Sequence, residues 1–205
     1  FADKSLRSDR EIVLAAVKND GYVLGHVDID QSLYSDIEIV LAAVQNYGRA
    51  LKFADSSLTS DRKIVLAAVQ NYGDAIKYAD KSLMYDRQIV LAAVKNDGFV
   101  IYTLGGSFLS DKALLLTAVE KDALVIDDID ESLLANKDFI LSAVKRNPYC
   151  LKFSFNFRAD KDVVLAAAEQ NELVMQYATD ELKADRNFMR ILMLRLNWHT
   201  VRLLF

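Results

Sequence analysis

A nine-residue phrase, Asp-x-x-Ile-Val-Leu-Ala-Ala-Val, returns along this chain at a nearly fixed interval. It begins at Asp9, Asp36, Asp61 and Asp86, and in looser form at Asp111, Asn136, Asp160 and Asp185. Successive starts lie 27, 25, 25, 25, 25, 24 and 25 residues apart. Such a period belongs to solenoid-type arrays, in which each unit cannot bury its own apolar face and is covered by its neighbours. About eight units account for nearly all 205 residues, so ordinary compact topologies built around one core are excluded.

Each unit divides in the same way. Residues 9 to 21 read Asp-Arg-Glu-Ile-Val-Leu-Ala-Ala-Val-Lys-Asn-Asp-Gly. The opening Asp suits a helix N-cap and the closing Gly suits a left-handed C-terminal residue, which predicts a helix of three turns. Gly recurs there as Gly48, Gly73 and Gly98; Ala123, Pro148 and Glu172 replace it later, and Asn197 stands there in the last unit. The stretch that follows, such as Arg49 to Ala54, has the spacing of a second, shorter helix. A polar connection, Asp-x-Ser-Leu, then leads to the next cap, as at Asp30 to Leu33 and Asp55 to Leu58. The Ile-Val-Leu-Ala-Ala-Val run is apolar almost all round its helix and needs cover on both sides. Its paired alanines would let helix axes approach to about 8 to 10 Å. The expected fold is all-α: an α-solenoid of about eight 25-residue helical hairpins forming a superhelix, a single repeat domain over 1–205.

The Asp9 to Gly21 unit, taken with Ala-Leu-Lys-Phe-Ala-Asp-Ser-Ser-Leu at residues 50 to 58, resembles the tandem α-helical repeat of the DUF4116 type. The resemblance covers nearly the whole chain; it is closest from Asp9 to Gly98 and weakest after Asp185. It implies a module of a larger intracellular protein, of the kind found among secreted effectors of Legionella-type bacteria. It supplies no catalytic residues. The chain also opens and closes within a repeat, so it is expected to be part of a longer protein.

Composition narrows the function. With 25 Lys plus Arg against 29 Asp plus Glu and a net charge of −4, there is no basic excess to hold nucleic acid. A hydrophobic content of 52% is far from that of a disordered chain. Cys150 has no partner for a disulfide and shares a column with Ala50 and Ala75, which makes it a small buried residue. No apolar run reaches about 18 residues, so a membrane span is not expected. His26 and His199 are too far apart in sequence to suggest a metal site, and no nucleotide-binding or nucleophile motif occurs. Gly105-Gly106 reads as a loosened turn. No enzyme activity and no cofactor are expected.

Three surface patterns remain. The residue after each cap is Arg10, Ile37, Arg62, Arg87, Lys112, Lys137, Lys161 and Arg186, and seven of these eight are cations. A cation in the first turn opposes the helix dipole. Either these groups form a ladder with acids of nearby Asp-x-Ser-Leu connections, or they form an anion strip for a phosphorylated partner or a lipid head group. Just before the Gly, two units carry Tyr47 and Tyr72, residues suited to an interface. A variable column in the second arm reads Lys52, Lys77, Tyr102, Asp127, Lys152 and Gln176, and Asp127-Asp128 opens the densest acidic run. The apolar C-terminal end, with Trp198, Leu203, Leu204 and Phe205, reads as a final modified hairpin.

The reading is a non-catalytic helical-repeat scaffold for protein–protein interaction, cytoplasmic, or in the host cytoplasm if the parent protein is a secreted effector. Its rivals are a phosphoinositide-binding targeting module and an intramolecular scaffold for a catalytic domain outside this chain. The partner's identity and the oligomeric state are not encoded in any of these patterns.

Overall fold

The computed structural model describes residues 3–26 and 29–196 and is all-α, with no strand among those residues. Each repeat start is followed by one principal helix. These are α1 (Arg10–Asn19), α2 (Ile37–Asn46), α3 (Arg62–Asn71) and α4 (Arg87–Asn96), then α5 (Lys112–Lys121), α6 (Lys137–Arg146), α7 (Lys161–Ala168) and α8 (Arg186–Arg195). The caps act as the sequence predicts. Asp36 Oδ1 accepts from the N–H groups of Glu38 and Ile39, both at 3.0 Å, and Asp61 Oδ1 from Lys63 and Ile64 at 2.8 and 3.0 Å. Each carboxylate thus satisfies donors that the first turn leaves without an intrahelical acceptor.

The chain forms two compact units, Phe1–Leu104 and Gly105–Phe205. In the first, α1 to α4 pack in sequence order, each against the next. Ile39, Val40, Ala43 and Val44 of α2, and their equivalents in α3, are fully buried. The second unit stacks α5 to α8 in the same way.

The second arm is not an α-helix in most repeats. Gly48–Phe53 and Gly73–Tyr78 in the first unit, and Ala123–Asp128 and Glu172–Tyr177 in the second, are 3-10 helices of six residues. At about 2.0 Å per residue instead of about 1.5 Å, six residues in this tighter coil cover more of the length of a ten-residue α-helix. The Asp-x-Ser-Leu connection is itself a turn of helix. Asp55 Oδ1 accepts from Ser57 N–H at 2.9 Å and Ser57 Oγ at 2.7 Å, and Leu58 is buried beneath. Successive connections are stitched by backbone bonds: Asp55 N–H donates to Tyr34 O and Asp80 N–H to Thr59 O, both at 2.9 Å. A repeat is therefore three-sided, with one α-helix and two short turns.

The repeating glycine has a different role from the one its position suggests. Among the described residues, the glycines with positive φ are Gly105 and Gly106, at 58° and 55°. Principal helices α1 to α6 end instead on an extended residue, such as Tyr47 at φ −140°. The glycine is required by close approach. A Cβ on Gly48 would lie 2.5 Å from Ala68 O and 2.8 Å from Tyr72 Cβ, and one on Gly21 would lie 2.3 Å from Ala43 O. At this seam the Gly N–H donates to the Asn that ends the next principal helix: Gly21 to Asn46 Oδ1 at 2.8 Å, Gly48 to Asn71 at 2.6 Å and Gly73 to Asn96 at 2.7 Å. The Asn amide donates in return, Asn71 Nδ2 to Gln45 O at 3.0 Å and Asn96 Nδ2 to Gln70 O at 2.9 Å.

Where the glycine is replaced, its partner is replaced too. Ala123, Pro148 and Glu172 face a column that now reads Arg146, Gln170 and Arg195. Pro148 has no N–H for an Asn to accept. Ion pairs hold two of these seams, Arg146 to Glu120 at 2.9 Å and Arg195 to Glu169 at 2.8 Å. The positions proposed for a final hairpin, from Asn197 to Phe205, lie outside the described residues.

Candidate interaction surface

The cation column forms a ladder, but its rungs end on different acids from those the sequence suggested. Arg10 Nε meets Asp36 Oδ2 at 2.7 Å and Arg62 Nε meets Asp86 Oδ2 at 2.8 Å. Lys137 lies 2.8 Å from Asp160, and Lys161 lies 2.5 Å from Asp185. Every one of these acids is the N-cap of the next principal helix. The connection acids are already occupied: Asp30, Asp55 and Asp80 each hold the N–H and hydroxyl of the serine two residues on. A cap carboxylate has oxygens for both tasks, with Oδ1 facing its own helix and Oδ2 facing the cation of the preceding repeat. This arrangement offsets the unfavourable placement of a cation in a first turn.

The second rung atoms vary. Arg10 Nη2 also reaches Glu38 at 2.7 Å, Arg62 Nη2 reaches Gln88 Oε1 at 2.5 Å, and Lys137 reaches Asp162 at 2.7 Å. Ile37 interrupts the column and is 59% exposed, while Lys112 faces the neutral cap Asn136. Arg87 is exposed at the end of the first unit. Hydrogen bonds from Arg10, Arg62 and Lys161 hold Asp36, Asp86 and Asp185 below the usual carboxylate value. Burial works against this at Asp160, where Lys137 and the Val163 N–H more than offset it.

The tyrosine column has a definite structural job in the other repeats. Asp20, Asp97, Asp122, Asn147 and Asn171 cap the following turn, accepting from the N–H of Tyr22, Phe99, Leu124, Tyr149 and Leu173. Tyr47 and Tyr72 make no such cap. Their rings are used instead. Tyr47 meets Tyr22 edge-on at 5.8 Å, and Tyr22 also lies against His26 and Phe53. The Arg49 guanidinium sits 4.4 Å from the Tyr72 centroid and donates to Tyr72 Oη at 2.5 Å. Tyr72 Oη donates in turn to Asp74, which also takes the Lys77 ammonium and, at 3.3 Å, the Thr103 hydroxyl.

Lys52 and Lys77 lie over the neighbouring rings of Phe53 and Tyr78, at 4.5 and 5.3 Å. The first unit thus brings Tyr47, Tyr72, Lys52 and Lys77 onto its row of 3-10 turns. The sequence reading missed the column just after the glycine, where Tyr22 and Phe99 are exposed and Arg49 and Asp74 form the polar centre. Its signal was the same changing chemistry at a constant position. Asp127 and Asp128 belong to the second unit and are exposed at the end of the Ala123–Asp128 turn, and their side chains have no hydrogen-bond or ion-pair partner among the described residues. Cys150 is fully buried, and that burial pushes its thiol up to about 12. No helix among the described residues is long and apolar enough to cross a membrane, and no group of three or more metal-ligating side chains occurs among them.

Repeated caps, glycine seams and ion-pair rungs define an all-α helical repeat protein. The family described as a domain of unknown function, DUF4116, matches residues 1–31, 36–84, 61–111, 86–134, 111–158 and 160–199, and the chain belongs to it. The matches that begin at residues 36, 61, 86 and 111 start 25 residues apart, which is the period of the caps. No curated protein and no solved structure matches the chain.

Proposed function

We propose that the chain is a non-catalytic scaffold whose first unit docks a protein partner along its row of 3-10 turns, in the cytoplasm of the cell where its parent protein works. One observation carries this reading. At Tyr47 and Tyr72 the chain gives up the side-chain cap that Asp20, Asp97, Asp122, Asn147 and Asn171 supply in five other repeats, a change that typically costs about 1 kcal/mol. In its place stand half-buried rings beside Arg49, Lys52 and Lys77, and Tyr and Arg are the residues that most often carry binding energy. The anion-strip alternative has less support, because Arg10, Arg62, Lys137 and Lys161 already hold acids of this chain.

The test uses Tyr47→Asp and Tyr72→Asp, which restore the cap found elsewhere and so leave folding intact. Partners captured by the full chain from lysate are identified, and their affinity for each variant is measured beside its urea midpoint. Loss of binding at unchanged or increased stability is the expected result. Equal affinity for both variants and wild type overturns the reading.

A further inference from the structure

The 3-10 turn Gly48–Phe53 stacks two cations and gives them no acid. Residues three apart in a 3-10 helix lie one above the other, so the second and fifth residues of the turn share a face. Here they are Arg49 and Lys52, both exposed, while Ala50 and Leu51 between them are fully buried. In the next repeat the same two positions are Asp74 and Lys77, which pair with each other. No other described repeat puts two cations there. Like charges one helical turn apart repel, so the stability of the turn does not account for the pair.

No acid among the described residues neutralises it. The sequence has none from Ile39 to Ala54. Asp55, which follows, holds the N–H and hydroxyl of Ser57, and Asp74 is taken by Lys77 and by the hydroxyls of Tyr72 and Thr103. Aromatic rings hold the two cations instead. The Arg49 guanidinium is met by the ring and hydroxyl of Tyr72 from the next repeat, and Lys52 lies over Phe53. Phe53 in turn meets Tyr22, which is 48% exposed. Such contacts fix the positions of the charges without cancelling them.

We infer that Arg49 and Lys52 receive a carboxylate of the partner, and that the docked segment is a short acidic peptide with an apolar side chain beside the acid to lie on Tyr22. This rests on the reading that the first unit's row of 3-10 turns docks a protein, and it adds the chemistry of what docks. A carboxylate has one oxygen for the guanidinium N–H groups and one for the ammonium. Its arrival replaces the repulsion within the turn by two charge-assisted hydrogen bonds.

The test pans a random peptide library on the full chain and measures the selected peptides by fluorescence anisotropy. Acidic peptides selected on wild type, and bound about tenfold or more weakly by Arg49→Gln and by Lys52→Glu, are the expected result. Lys52→Glu places an acid beneath Arg49, the inverse of the Asp74 and Lys77 pair. Its Tm should be no lower than that of wild type, which separates lost binding from lost folding. Selection without an acidic bias overturns the inference; if those peptides still lose affinity at Tyr47→Asp or Tyr72→Asp, the docking row itself stands. Peptides indifferent to all four substitutions overturn both readings. A single-stranded oligonucleotide or a phosphatidylserine vesicle that binds more tightly than every selected peptide, and is released by Arg49→Gln, overturns the choice of a peptide.

Discussion

Replacing Gly48 by Ala tests whether close approach, and not backbone handedness, fixes the repeating glycine. The added methyl would sit 2.5 Å from Ala68 O, 2.8 Å from Tyr72 Cβ and 2.9 Å from Tyr72 N. Two of those atoms are backbone of the neighbouring repeat, so the helices must separate by several tenths of an ångström. Overpacking of this kind costs about 1–3 kcal/mol, and the strained Gly48 to Asn71 bond adds about 0.5–1.5 kcal/mol. The reduced freedom of the unfolded chain returns about 0.4–1 kcal/mol. The net loss is about 0.5–4 kcal/mol.

Gly25→Ala is the control, because the added Cβ there meets the ring end of Phe53, a half-buried side chain that can swing, and the loss should stay within about 0.5 kcal/mol. Gly48→Asn separates the two explanations. Asn tolerates the left-handed region better than Ala does, yet clashes at the same Cβ. Urea denaturation is followed by tyrosine fluorescence, since Tyr22, Tyr34, Tyr47, Tyr72, Tyr78, Tyr85 and Tyr102 lie in the first unit and only two of the nine tyrosines lie beyond it. A Gly48→Ala midpoint close to wild type, or an Asn variant more stable than the Ala variant, would refute the close-approach account.

Four further outcomes follow from the same geometry. Asn71→Ala leaves the Gly48 N–H at a buried seam without its acceptor and should cost about 1–3 kcal/mol, with faster exchange at the Gly48 amide as the local readout. Asp36, Asp86 and Asp185 have folded values below their ordinary 3.8, so their contribution is complete above about pH 5 and is lost as pH falls through 3.8 toward the lowered value. Arg62→Gln should therefore flatten the fall in urea midpoint between pH 5 and pH 3, and a slope parallel to wild type would remove the rung. Ile37→Arg should supply the missing cation for the Asp61 cap, giving a small rise in Tm that disappears in 1 M salt. The Cys150 thiol, buried and held up to about 12, should react with a thiol reagent only as fast as the second unit opens; rapid native-state labelling would contradict its burial.

The sequence by itself determined the period, the caps and the principal helices. A capped helix with apolar residues on nearly every side is a local instruction, legible in one unit and repeated until it is unmistakable. The same local logic identified Cys150 as a small core residue and a cation column as something more than helix propensity. What only the tertiary structure decided lies between repeats. The glycine satisfied a local pattern for a left-handed cap, but the decisive contact is a carbonyl of the next repeat, 20 to 22 residues on, which no local pattern contains. The arginines needed an acid, and several acids were close enough in sequence; only packing showed that the connection acids are occupied by their own serines while the next cap has an oxygen to spare. The interaction surface divides in the same way. Tyr47 and Tyr72 were visible as an exception in a column, but the capping role they displace, and the Arg49 and Asp74 chemistry around them, depend on which repeats lie side by side.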